Sequence, residues 1–376
     1  MNKKTGSPAK SPKAAGVVQS LSPLVQQVRT LVQAARRAAA ASVNSLQVLT
    51  NFEIGRVIVE HEQRGAIRAK YGTQLLRELA ERLTVELGKG FSRSNLQSMR
   101  TFFLMYSCRL PQICQKPSGI SPSAPIFETL SRKSVASFTL SWSHYVVLMS
   151  IKDESERRFY EIESAQSGWS VPELKRQLSS GLYERLALSR DKKRVRKLAQ
   201  EGHTVSRPAD LLKDPYVLEF LGLAEKPAYS ESDLEAAIID KLQQFLLELG
   251  KGFLFEARQK RFTFDEDHFF VDLVFYNRLL RSYVLIDLKL DKPTHQDLGQ
   301  MQMYVNYFDR FVKRPEENPT IGIMLCKRKK DALIEMTLPK EANIFASEYR
   351  LYLPSKEDLR QRLLEWTRDE DTLHER

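Results

Sequence analysis

The spacing of apolar residues changes from a helical to a strand-like period about two-thirds of the way along the chain. In the first part, apolar residues recur every three to four positions, which predicts amphipathic helices. Clear cases are the stretches 70–90, 91–107 and 171–185, and weaker helical periodicity runs from about residue 23 through residue 65. The N-terminal half is therefore predicted to be mainly helical.

After about residue 232 the pattern predicts helices and strands together. An amphipathic helix is predicted over 233–249 and a second over 294–312. Strands are predicted at 253–264, 268–276, 283–290, 320–326 and 349–353. The first three strands follow one another as a meander, and 320–326 is apolar throughout, as in a strand buried on both faces. This order predicts an α/β domain whose mixed central sheet is flanked by helices, behind a mainly α N-terminal domain.

Composition changes along the chain suggest where the domains begin and end. We predict a disordered basic tail over 1–16, a helical domain over 17–188, a basic linker over 189–206 and the α/β domain over 207–376. A loop or insertion rich in proline and serine is predicted at 108–133. The run RDKKRVRK, residues 190–197, is either a solvated linker or an arm that contacts phosphates, and both can hold together.

The charge and the cysteines narrow the class of protein. The chain has 376 residues and a formal net charge of +11, which favours a polyanionic partner without establishing one. The three cysteines, at 108, 114 and 326, are too few for a disulfide framework and lack the spacing of a zinc site. No stretch reaches the roughly 20 apolar residues of a membrane span. We expect a cytoplasmic protein with free thiols.

Candidate chemistry lies on two neighbouring predicted strands. Asp272 interrupts the apolar run HFFVDLVFY, and Asp287 and Lys289 lie two residues apart in YVLIDLKL, on one face of their strand. Ionised groups among aliphatic side chains are costly unless they are paired or bind a metal. Two carboxylates with one lysine suit Mg²⁺, or Mn²⁺, which takes one or two protein carboxylates and completes its shell with water and phosphate.

Two further residues could belong to this site. Glu235 lies on the helix before the sheet, and Gln300 lies on the helix after it, in HQDLGQMQMYVNYFD. Taken alone, Asp287 and Lys289 could be a surface pair on an edge strand, and Glu235 could be a solvated helix residue. The embedded Asp272 and the downstream Gln300 favour a metal site that activates water for phosphodiester hydrolysis.

These residues resemble the PD-(D/E)XK nuclease superfamily. The segments HFFVDLVFYNRLLRSYVLIDLKL, GQMQMYVNYFD, GFSRSNLQSMRTFF and GWSVPELKRQL are similar more narrowly to YhcG-type bacterial proteins, in which such a domain follows a helical, winged-helix-like region. The resemblance covers about residues 51–353 without the 108–133 segment. It implies that Asp272 and Asp287 bind metal and that Lys289, Gln300 and Glu235 are catalytic. Many relatives have Glu where this chain has Asp287.

Basic and amide side chains could contact nucleic acid in two places. The helix capped by Ser92 or Ser94 carries Arg93, Asn95 and Arg100, which suit base edges and phosphates if it is a recognition helix. Arg258 and Lys260 lie on the first predicted strand. The alternatives are an exposed face of a helical bundle and a strand edge protected by charge.

The sequence therefore predicts a metal-dependent nuclease. Its substrate is expected to be double-stranded DNA rather than RNA, on superfamily habit, with the N-terminal domain positioning substrate or partner. The rival hypotheses are a DNA-binding or assembly subunit of a defence or repair system that retains the fold without turnover, and an interaction protein that oligomerises through its helical domain. A homo-oligomer is compatible with all three.

Overall fold

A computed structural model describes most of the chain as two compact units. It describes residues 15–64, 69–109, 138–189, 192–223, 229–264, 266–329 and 342–363, together with residues 334, 336–339 and 365. The units comprise residues 1–149 and 150–376. Residues 1–14 of the predicted tail and residues 110–133 of the predicted loop lie outside the described residues, whereas residues 15–16, also predicted as tail, are helical.

The first unit is helical. Its helices are α1 (Ala15–Arg64), α2 (Ala69–Leu87), α3 (Arg93–Tyr106) and α4 (Trp142–Leu148), with a 3₁₀ turn at Ser107–Arg109. Ser92 caps α3 by accepting a hydrogen bond from the Asn95 backbone N–H, as predicted. Buried rings of Phe52, Phe102 and Tyr145 pack at its centre. Within 15–64, 69–109 and 138–149 there is no strand, so the wing of a winged helix is not seen there.

Three helices that the sequence placed in the N-terminal domain belong to the second compact unit instead: α5 (Glu154–Ser167), α6 (Val171–Ser179) and α7 (Leu182–Leu188). The same unit includes α8 (Lys192–Glu201), which lies where the basic linker was predicted. A fully buried ion pair joins α7 to the sheet domain: Arg185 Nη1 lies 2.5 Å from Glu248 Oε1. Residues 192–201 of the predicted 189–206 linker form α8, whose Leu198 is fully buried. The compact unit therefore begins at Ser150 rather than at residue 207.

The second unit is built on a mixed six-stranded sheet. Its strands are β1 (Tyr216–Val217), β2 (Phe253–Phe264), β3 (Asp267–Asn277), β4 (Ser282–Lys289), β5 (Ile321–Cys326) and β6 (Ile344–Arg350), in the order β1-β6-β5-β4-β3-β2. Strands β2, β3 and β4 are antiparallel neighbours, and β4, β5, β6 and β1 are parallel neighbours. This confirms the predicted meander and mixed sheet. The last long strand begins earlier than predicted, and β1 was not predicted.

Helices cover both faces of this sheet. On one side lie α9 (Glu231–Asp240) and α10 (Leu242–Leu249), which the sequence predicted as one helix and which break at Lys241. On the other lies α11 (His295–Tyr307), which continues as a π-helical turn over Phe308–Val312. Short 3₁₀ turns lie at Pro208–Leu211 and Glu219–Leu221, and 356–363 is helical. Strand β5 is buried along its whole length because helices cover it on both sides.

None of the helices within the described ranges is long and apolar enough to cross a membrane.

Candidate active site

The two predicted acids meet where strands β3 and β4 separate. The last ladder pair at this end is Leu273 with Ile286, so Asp272 and Asp287 are the next residues on their strands. Beyond that pair, the backbone N–H of Leu288 donates a 2.9 Å hydrogen bond to Asp272 Oδ2. The Asp272 side chain thereby takes the place of a strand partner, and it is held beside the end of β4.

Lys289 lies among three carboxylates. Its Nζ is 2.9 Å from Asp287 Oδ2, 3.6 Å from Glu231 Oε2 and 3.6 Å from Asp297 Oδ1. Glu231 begins α9, and Asp297 closes a capping box with Thr294 at the start of α11. The helices on the two faces of the sheet therefore both contribute to one charged cluster, and they hold Lys289 at its centre.

The two strand acids differ in their environment. Asp287 is only 7% exposed, whereas Asp272 is half-buried. Burial and the neighbouring charge of Asp272 raise the pKa of Asp287 to about 7, against the opposing effect of Lys289. The surrounding carboxylates raise the pKa of Lys289 despite its partial burial. The carboxylates therefore favour the ammonium form of Lys289, and the close approach of Asp272 disfavours a second negative charge on Asp287.

Gln259 connects Glu235 to Asp272. Its Nε2 donates to Glu235 Oε2 at 2.5 Å and to Asp272 Oδ1 at 3.1 Å. Glu235 is only 3% exposed, and its Oε1 lies 3.2 Å from Arg258 Nε. Gln259 has a φ of +44°, which is uncommon for a residue other than glycine, and it lies opposite Asp272 just beyond a register shift in β2. In this backbone conformation the Gln259 amide reaches both acids.

We expect Gln259→Asn to break the hydrogen-bonded bridge between Glu235 and Asp272 and to lower the stability of the fold. Asparagine tolerates a positive φ but is one methylene shorter, so it cannot span Glu235 and Asp272. Leaving the buried Glu235 oxygen without its donor should lower the free energy of unfolding by about 1–3 kcal/mol. Denaturant titration measures this loss, and Gln296→Asn on the exposed start of α11 is the control. Equal stability of both variants would show that the bridge contributes nothing.

Gln300 contacts Tyr304 rather than the acids. Its Nε2 donates to the Tyr304 hydroxyl one turn along α11. Tyr304 is 1% exposed, and burial together with the nearby charges of Asp287 and Asp272 raises its pKa to about 12. Tyr304 therefore lies near the two carboxylates, and its hydroxyl is the partner of the Gln300 amide.

The donor set fits a magnesium-type ion. Within the described ranges, no group of three or more His, Cys, Asp and Glu side chains is arranged for a metal. Asp272 and Asp287 are two carboxylates close enough for one to raise the pKa of the other. Mg²⁺ commonly uses one or two protein carboxylates and keeps its waters, so this pair suits it better than it suits Zn²⁺.

Some of the candidate nucleic-acid contacts are exposed, and others are engaged in contacts within the protein. Arg93 is exposed at the start of α3. Asn95 is used inside the first unit, since its side chain donates to Gly90 O and accepts from Trp142 Nε1 at 2.9 Å. Arg100 donates to Glu62 at 2.8 Å. Arg258 and Lys260 are about half exposed on β2, the edge strand next to Asp272. Arg258 pairs with Glu235 at 3.2 Å and Lys260 with Glu256 at 3.8 Å, but both keep about half of their side-chain surface exposed, as Arg93 is exposed on α3.

Several residues of the site were missed from the sequence. Gln259 has no recognisable motif, and its position opposite Asp272 follows only from the register of β2. Glu231 and Asp297 could have been found, because each lies in the first turn of its helix after a serine or threonine cap. Helix capping predicts where these two acids lie on their helices, but it does not by itself indicate that they belong to a functional site.

Comparison with known proteins places this geometry in a family. A family model described as the YhcG PDDEXK nuclease domain matches residues 209–364, and one described as the DUF1016 N-terminal domain matches residues 27–185. The second unit therefore carries a PD-(D/E)XK nuclease domain. The chain is 42% identical to "Putative nuclease YhcG" of Escherichia coli (strain K12), over 89% of this chain and 91% of that protein. The chain belongs to the YhcG family.

Two solved structures are also similar over part of the chain. A repair endonuclease from Pyrococcus abyssi and an EndoMS–dsDNA complex each share 17% identity over 35% of this chain, with a TM-score of 0.24. The chain spans about half the length of each, 50% and 49%. Similarity at this level carries no argument about a substrate of this chain.

Proposed function

We propose that the second unit hydrolyses phosphodiester bonds in DNA with Mg²⁺ or Mn²⁺, and that Asp272 and Asp287 hold the ion. The observation that carries this proposal is the meeting of Asp272, Asp287 and Lys289 at the ends of two adjacent strands, with Lys289 Nζ 2.9 Å from Asp287. Such an ion, when bound, would lower the pKa of a water and neutralise charge on the phosphate. Gln300 and Glu235 are the remaining catalytic candidates of the proposed site.

The residues of the chain would then have separate tasks. Lys289, kept protonated by the carboxylates around it, donates hydrogen bonds to the attacking water or to the oxygens on which charge develops in the transition state. Gln259 and Glu235 hold Asp272 in place from one side, and Tyr304 holds Gln300 on the other. Because Lys289 is kept protonated, the general base would be a group other than Lys289.

Double-stranded DNA is the proposed substrate. The net charge of +11 favours a polyanion, and β2 presents Arg258, Lys260 and Arg261 along the sheet edge beside Asp272. Phosphates lying along this strand would be close to the two acids. We propose that the helical first unit positions the substrate or a partner, with Arg93 at the start of α3 as its most accessible candidate contact.

Cleavage of supercoiled DNA, linear DNA and RNA by the full chain tests the proposal. We expect Mg²⁺- or Mn²⁺-dependent cutting of DNA by the wild type and none in EDTA. Asp272→Asn should abolish cutting, whereas Asp291→Asn, which changes an exposed acid paired with Arg328, should not. Folded wild-type protein that binds duplex DNA but never cuts it would instead support a binding subunit. Faster cutting of RNA would overturn the choice of DNA.

A further inference from the structure

Residues 25–43 of α1 form an arm on which no side chain of described exposure is buried. Every residue from 25 to 43 whose exposure is described is exposed, and burial begins only at Asn44 and Ser45. At a rise of about 1.5 Å per residue, this arm is roughly 28 Å long. Most helices in proteins are stabilised by packing an apolar face rather than by intrinsic propensity, so an arm of this length calls for a partner.

The arm has an apolar stripe with the spacing of a coiled coil. In a heptad that begins at Val28, positions a and d are Val28, Leu31, Ala35, Ala38 and the polar Ser42, and position e is occupied by Val25, Val32 and Ala39. The four large members are exposed by 53%, 51%, 70% and 43% for Val25, Val28, Leu31 and Val32. Exposed apolar residues scattered singly are ordinary, but a continuous stripe of them marks an interaction surface.

The charges of the arm lie away from this stripe. Arg29, Arg36 and Arg37 occupy heptad positions b and c, and the flanking g positions are uncharged: Gln27, Ala34 and Ala41. There is no acidic residue between 15 and 43. A second copy can therefore lie along the stripe without placing like charges opposite one another. Because the positions beside the stripe carry no charge, an acidic partner helix would form no ion pairs there. This favours a second copy of the chain as the helix that packs on the stripe.

The sizes of the side chains favour one orientation. Large apolar residues fill the N-terminal half of the stripe, and alanines fill the C-terminal half. When two copies run antiparallel about residue 33, Leu31 lies opposite Ala35 and Val28 lies opposite Ala38, so that each large side chain meets a small one. Alternation of large and small residues across an interface fills space without voids. A parallel pair would put alanine opposite alanine and leave that half poorly packed.

We propose that residues 25–43 of α1 form an antiparallel two-helix coiled coil with the same residues of a second copy of this chain. The proposal depends on the first unit alone and is independent of the nuclease activity. In such a homodimer the interface is formed by α1, and no residue of the candidate active site belongs to it. Each dimer then carries two nuclease domains joined through their α1 arms.

The mass of the full chain in solution tests the dimer. We expect the wild type to have twice the 43.4 kDa of one chain by light scattering coupled to size exclusion. The double variant Val28→Lys, Leu31→Lys should have the mass of one chain, with unchanged helix content by circular dichroism, because lysine is a good helix former. The matched control Gln26→Lys, Gln33→Lys adds the same charge at the outward f positions and should remain dimeric. A monomeric wild type, or a seam variant that remains dimeric, would overturn the proposal.

Crosslinking tests the orientation. When Val28→Cys and Ala38→Cys proteins are mixed and oxidised, an antiparallel pair should give a disulfide between the two variants. Val28→Cys alone should form no more crosslinked dimer than wild type, whose own thiols set the background. Crosslinking of Val28→Cys to itself, with none to Ala38→Cys, would show a parallel pair and overturn the orientation.

Discussion

Lys289→Gln is expected to lower the rate of DNA cleavage by about 10²–10³-fold, the loss typical when one donor to a developing negative charge is removed. Lys289 Nζ lies within 3.6 Å of Asp287, Glu231 and Asp297, and no other lysine contacts this cluster among the described residues. Glutamine can donate a hydrogen bond but has no charge. The rate of the chemical step should therefore fall while metal binding is retained. Single-turnover cleavage and calorimetric metal titration measure the two effects separately.

Lys292→Gln is the matched control for this prediction. Lys292 is exposed three residues along the chain, so the same change of charge should leave the cleavage rate within a few-fold of wild type. A fall of less than tenfold in Lys289→Gln would show that this lysine only balances the charges of its neighbours. Equal falls in both variants would indicate a general loss of positive charge for DNA binding.

The part of the site carried by regular strands could be predicted from the sequence. Alternation along HFFVDLVFY and YVLIDLKL put Asp272, Asp287 and Lys289 in apolar strands, and antiparallel pairing of neighbouring strands then brought the acids together. These inferences need only the strand period and the commonest connection. The order of helices and strands in the second unit followed from the same kind of periodicity, which is strong for long elements.

The irregular parts could not be predicted, because they depend on tertiary contacts. Gln259 reaches both acids only because β2 shifts register and the residue adopts a φ of +44°. The helices α5–α8 belong with the sheet because buried pairs such as Arg185 with Glu248 join distant segments. A basic run such as 190–197 has the composition of a linker, yet Val195 and Leu198 are the apolar positions of a packed helix, α8.

Asp287→Asn should stabilise the metal-free protein above neutral pH. Burial and the charge of Asp272 raise the pKa of Asp287 in the folded protein to about 7 from an ordinary 3.8. The folded state therefore binds this proton more tightly than the unfolded state does. That contribution to stability is fully present below about pH 4, and it is lost as the pH rises through 7. Asparagine resembles the protonated acid, so Asp287→Asn should keep this contribution to stability at high pH.

The expected difference between variant and wild type has a defined pH dependence. In EDTA, the free energies of unfolding of the variant and the wild type should be similar near pH 4, and at pH 8 they should differ by on the order of a few kcal/mol in favour of Asp287→Asn. Asp291→Asn, at an exposed acid, should show no such rise. Saturating Mg²⁺ should restore the stability of the wild type at pH 8 and have less effect on Asp287→Asn, because ligand binding stabilises only the protein that binds it. A difference that does not change with pH would show that Asp287 stays ionised in the folded protein, and that Lys289 alone compensates the proximity of the two acids.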